Sequence, residues 1–233
     1  MSQNEGFYCP NSVDEIHSLL CQGIKKESSV LLHRYAFVRN IAYNLQYLEY
    51  LNYVLNETDI HLTVRTLTQK TFVITGMSIV EAILWFVLKS SGQQRKDPWE
   101  ITTEVETKTF EDQGSKYKIS NIISKQRPEP VDVEMTLDAM IKKVESKKLL
   151  GVGDQVYRNL NYLRKLRNRV HIHAVQHDKD TDWFSFNNRE VDLMRGVLGS
   201  VLRSELFVPD EDQALLISYL KASEPTSKIA ETI

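Results

Sequence analysis

The chain has little cysteine, no excess of either charge and no clean apolar run long enough to cross a membrane. Its two cysteines, Cys9 and Cys21, cannot build a disulfide framework or a zinc site by themselves. Lysine and arginine number 29 against 31 aspartate and glutamate, so a general nucleic-acid coat, which is basic overall, is excluded. A local basic site is not, because a charge is screened within about 8 Å in the cell. The most apolar segment, Phe72 to Leu88, carries Glu81 and follows Lys70, which marks it as a buried helix and predicts no membrane span. The N-terminal residues show no basic stretch followed by an apolar one, so no secretory signal is expected. A reduced, cytoplasmic setting fits these absences. Internal repeats and low-complexity tracts are also missing.

What remains is helical periodicity. Hydrophobic residues make up 42% of the 233, with tyrosine and phenylalanine enough for a core. After a loose start, Ser12 can cap a helix with Asp14 and Glu15 in its first turn. A second helix is predicted from Ser28 or Ser29 to about Asn56, with apolar residues at spacings of three and four. A third runs from about Ile60 to Ser90 and is apolar on nearly all sides from Ile79 to Leu88, apart from Glu81, which needs a partner. Alternating residues at Ile101–Thr107 and Lys116–Ile122, around Glu111-Asp112-Gln113-Gly114, predict a β-hairpin inserted at about residues 93–130. Helical pattern resumes from Thr136 to Leu150, breaks at Gly151-Val152-Gly153, and restarts with Asp154 as cap. That helix is predicted to end between His173 and His177. Two more follow, capped by Asn188 and Asp210. The expected fold is therefore all-α, an up-and-down helical bundle with a small inserted β-hairpin. Its divisions are an N-terminal segment with a short helix (1–27), one helical domain (28–222) and a tail (223–233).

The chemistry concentrates in Leu163-Arg164-Lys165-Leu166-Arg167-Asn168-Arg169-Val170-His171. On a continuous helix, at about 100° per residue, Arg164, Arg167 and His171 share one side and Asn168 lies one step round. RNA can be cleaved without metal when its own 2′-hydroxyl attacks the adjacent phosphorus. That path needs a proton carrier that titrates near neutrality and cations on the crowded phosphate oxygens. Histidine supplies the first. Arginine supplies the second, because its planar fork matches phosphate oxygens and keeps its charge. Asn168 can orient the backbone or the imidazole. The same arginines could instead pair with Glu81, Asp154 or other carboxylates, and a histidine in a last helical turn also suits the dipole there.

At these residues the sequence resembles the signature of HEPN domains, in the branch found in prokaryotic defence and toxin–antitoxin proteins. Their pattern is an arginine, often followed by asparagine, then four to six residues and a histidine. Arg164 and His171 bracket six residues, and Arg167 and His173 bracket five, so the motif histidine is His171 or His173. The helix Ile74-Thr75-Gly76-Met77-Ser78-Ile79-Val80-Glu81-Ala82 is also similar to the earlier core helix of such bundles. The resemblance implies a homodimer with facing motifs, RNA as a partner, a cognate antitoxin or other protein as another, and metal-independent cleavage leaving a 2′,3′-cyclic phosphate. On that reading His171 moves the proton, Arg164 and Arg167 neutralise the phosphate, and Asn168 orients. Many members of the family are inactive, which leaves a module binding a nucleotide or a protein as the alternative.

No cofactor and no metal is expected. His173 and His177 are four apart, but they have neither a cysteine nor an HExxH glutamate beside them. Gly151-Val152-Gly153 lacks the third glycine, the lysine and the preceding strand of a phosphate loop, and is a hinge. The tyrosines of the second helix, Tyr35, Tyr43, Tyr47, Tyr50 and Tyr53, suit a helix margin or an interface better than base stacking.

Overall fold

A computed structural model of the chain describes residues 8, 10–24, 31–173, 175 and 177–221. Cys9, the helix start at Ser28 or Ser29 and the tail after Ser223 lie outside them. The chain divides into two compact units, a helical body and a segment from Gln93 to Thr136. The body contains α1 (Val13–Gly23), α2 (Arg34–Glu57) and α3 (Leu62–Ser90) before the segment, then α4 (Leu137–Ser146), α5 (Asp154–Arg167), α6 (Asp182–Ser185), α7 (Asn188–Leu202) and α8 (Glu211–Leu216).

Local chemistry fixes the helix starts. Ser12 and Glu15 form a reciprocal capping box on α1, Asn187 and Glu190 on α7, and Asp210 and Gln213 on α8. The α7 cap is thus Asn187 in place of the expected Asn188. For α5 it is Gly153, with Asp154 in the first turn. Helix α3 packs against α2, α4, α5, α6 and α7, which is why it tolerates apolar residues on most of its circumference. It is long and apolar enough to cross a membrane, yet 61% of its most apolar window is buried within the protein. Gly76 lets α7 approach α3, since a Cβ there would lie 2.7 Å from Met194 Cγ. Tyr157, Leu160 and Leu163 form the buried face of α5.

The Gln93–Thr136 unit corrects the all-α expectation. It is a two-stranded antiparallel ribbon of β1 (Lys96–Asp112, 17 residues) and β2 (Ser115–Asp132, 18 residues), so the protein is a mixture of α and β. The alternating cores at Ile101 and Lys116 mark only its middle. Pro98, Pro128 and Pro130 look like strand breakers, but all three fall where pairing skips from Asp97 opposite Val131 to Trp99 opposite Gln126, an irregular stretch that tolerates proline. Pairing skips register between Asp97 and Trp99, Ile101 and Thr103, and Glu106 and Lys108 and then continues. Gln113 and Gly114 close the hairpin, both with positive φ (48° and 78°), as a tight two-residue turn requires.

Candidate functional site

The motif helix ends earlier than its periodicity suggests. α5 stops at Arg167, Asn168–Val170 form one 3₁₀ turn, and His171 is extended at φ −84° and ψ 98°. The expected alignment of Arg164, Arg167 and His171 along one helix side is therefore corrected: the arginines are on the helix and the histidine is beyond it. The helix stops because residue 169 is claimed by other contacts. The Arg169 guanidinium forms an ion pair with the Asp180 carboxylate and donates to the Asp180 carbonyl at 3.0 Å, which ties the start of the following loop to its end. Arg169 Nε lies 3.7 Å from Asp182, and Lys70 of α3 holds the same carboxylate at 2.8 Å. Continuing α5 would break this clamp.

The other two arginines are also engaged. Arg164 Nη2 lies 2.9 Å from Asp138 of α4, and Arg167 Nη2 lies 2.8 Å from Glu81 of α3. Glu81, the one acid in the apolar stretch, is thereby partnered. Lys142 foremost, with Arg164 assisting against partial desolvation, holds the Asp138 carboxyl below its usual range. About a third of the Arg167 side chain is exposed (34%), so a second contact can reach it without dismantling the pair.

His171 and His173 are both exposed, with ring centroids 5.9 Å apart and planes tilted by 46°. A continuous helix would set these imidazoles on divergent sides; the bend and turn at residues 171–173 bring them together. His171 lines a cavity of about 150 Å³ with Arg169, Ile172, Val175, Asp180, Thr181 and Asp182. Asn168 is exposed, and its backbone carbonyl accepts the His171 N–H at 3.3 Å, holding the turn. His177 is exposed on the same loop, and among the described residues no group of three His, Cys, Asp or Glu is placed to hold a metal ion.

The sequence reading missed Asp180, Asp182 and Lys70 as parts of this site. Its one available signal was the acidic pair Asp180-Thr181-Asp182, a loop's length after a basic run. A larger groove of about 620 Å³ elsewhere in the body is lined by Gly151, Gly153, Gly199, Arg203 and Lys221 among others. Arg203 donates there to the carbonyls of Gly199 (3.2 Å) and Ile217 (2.9 Å), and burial pulls its ionisation downward. Tyr35, Tyr43, Tyr47 and Tyr50 are exposed along α2, whereas Tyr53 stacks on Tyr8 at 4.1 Å. No protein-family model matches the chain, and comparison with curated proteins and with solved structures returned no match.

Proposed function

We propose that the turn after α5 handles a phosphodiester, and that the protein is a HEPN-like, metal-independent endoribonuclease or RNA-binding component of a prokaryotic defence or toxin–antitoxin system. The observation that carries this reading is the exposure of His171 and His173 immediately beyond a helix terminus bearing Arg164, Lys165 and Arg167. A solvent-facing imidazole, with cations close by in the chain, is the minimum equipment for moving a proton at a phosphate ester. The helix itself gives no help, because a C-terminus presents carbonyl oxygens and a negative dipole end. Attraction for an anion must come from the side chains, and a second copy, in the homodimer this reading includes, would double them.

The engagement of the arginines favours a second reading. With Arg164 on Asp138 and Arg167 on Glu81, the basic run also works as a set of interhelical ties that complement the dipole. On that reading the protein is a non-catalytic module whose polar edge binds a nucleotide or a protein, such as an antitoxin.

Cleavage of mixed single-stranded and transfer RNA in EDTA separates the two. The ribonuclease reading expects cyclic-phosphate ends from the wild type and a loss of about 100-fold or more in His171→Ala, the usual size of a general acid–base contribution. Arg167→Ala should lose activity as well. Equal activity in all three proteins places the cleavage elsewhere. Inactivity of a folded wild type that still binds RNA or nucleotide supports the module.

A further inference from the structure

We infer that His171 and His173 of one protomer work as a general acid–base pair, so that each copy of the chain carries both proton-transfer groups for the cleavage. The inference rests on the ribonuclease reading above and adds His173 to it as a second catalytic residue. Three observations support it. Both imidazoles are exposed, so neither is committed to the core. Their ring centroids lie 5.9 Å apart, near enough for both imidazoles to reach oxygens of one phosphate group. The chain enters them from a fixed start, because the Asn168 carbonyl accepts the His171 N–H and the Arg169–Asp180 clamp holds the residue between.

The reaction balances with these two groups alone. The neutral imidazole takes the proton of the RNA 2′-hydroxyl as that oxygen forms its bond to phosphorus. The P–O5′ bond breaks, and its electron pair takes a proton from the other ring, an imidazolium. The products are a 2′,3′-cyclic phosphate and a 5′-hydroxyl. The two rings finish with their protonation states exchanged, and exchange with water resets them. The charged groups around the cavity lined by His171 are Arg169 of the 3₁₀ turn, Asp180 and Asp182, with Lys70 of α3 held on Asp182; His177, Asp178 and Lys179 share the loop.

The test is the pH dependence of kcat/KM for a short single-stranded RNA in EDTA, with the wild type, His171→Ala, His173→Ala and an equimolar mixture of the two variants. Both side chains are exposed, so the variants are expected to keep the wild-type circular dichroism and melting curve. The pair predicts a rate maximum with a fall on each side for the wild type. It predicts a loss of about 100-fold or more in each variant, with one limb of the profile gone, and no recovery on mixing. If His173→Ala retains both limbs and most of its activity while His171→Ala does not, the pair is overturned and the single-histidine ribonuclease stands. Recovery on mixing overturns it too, because the two imidazoles then come from different copies. An inactive wild type removes the ribonuclease reading itself, a result distinct from either.

Discussion

The helical body and the β-ribbon stabilise themselves by different means. In the body, Phe72, Ile83, Leu84, Leu160 and Leu198 have no measurable solvent exposure, and hydrophobic burial carries the structure. In the ribbon, Trp99, Ile101, Ile122 and Ile123 are all more than half exposed. Its cohesion comes from the backbone ladder, the Phe110–Tyr117 stack at 5.2 Å, the Glu106–Lys118 ion pair and the facing of Glu100 with Lys125 and Glu111 with Lys116. A two-stranded ribbon is marginal in water by itself. The contrast teaches that one chain can hold a cooperative core and a locally stitched element, which should respond to mutation on different scales.

The sharpest separation should come from large-to-small changes. Leu84→Ala in α3 is expected to cost about 2–5 kcal/mol in urea unfolding, whereas Ile122→Ala in β2 should stay within about 0.5 kcal/mol. Comparable losses would erase the distinction. Glycine gives a second contrast. A Cβ at Gly199 would lie 2.2 Å from the Leu220 carbonyl oxygen, so Gly199→Ala must move backbone and should cost about 1–3 kcal/mol. At Gly114 a Cβ meets nothing within 4 Å, and Gly114→Ala should cost about 1 kcal/mol, from its positive φ alone.

Alkaline pH probes the body through Tyr219, whose hydroxyl donates to the Leu45 carbonyl at 2.9 Å. Burial foremost, then the Glu49 charge, pushes its ionisation well above the usual range. The unfolded chain releases that proton near pH 10 and the folded chain does not. The stability is thus fully present below pH 10 and is lost as pH rises toward the folded value, by about 1.4 kcal/mol per unit. Tyr219→Phe should cost about 1 kcal/mol at neutral pH and flatten the alkaline slope relative to wild type. Equal slopes in the two proteins would remove Tyr219 as the cause.

The smallest expected effect concerns Asp138. Its carboxyl is held low by Lys142 and Arg164, so the contribution is present above the ordinary carboxylate range and lost as pH falls through the lowered value. In Asp138→Asn the acid-side loss of melting temperature should be slightly shallower than in wild type.

Legibility in the sequence followed the range of the forces involved. Ser12 and Asp210 were readable as caps because a cap is decided within four residues. The central place of α3 was readable from its apolar circumference. The end of α5 was not, because Asn168-Arg169-Val170 contains neither glycine nor proline, and the contact that ends the helix, Arg169 with Asp180, spans eleven positions. The ribbon was recognised but only over its alternating middle, Ile101–Thr107 and Lys116–Ile122, because its outer stretches lose strict alternation where the pairing skips register. At the site, the residue types were legible and their arrangement was not. Arg164 and Arg167 were named, but their commitment to Asp138 and Glu81 is a tertiary fact, as is the meeting of His171 with His173.

The early end of α5 changes what the spacing between arginine and histidine means. In a continuous helix one inserted residue would rotate everything after it by about 100°. Beyond the single 3₁₀ turn at Asn168–Val170 the chain is an irregular loop, so an insertion after that turn adds slack, and the far anchor at Asp180 limits where the slack can go. Counting residues across this interval therefore measures reach. Chains that differ by one or two positions there can bring their imidazoles to the same place.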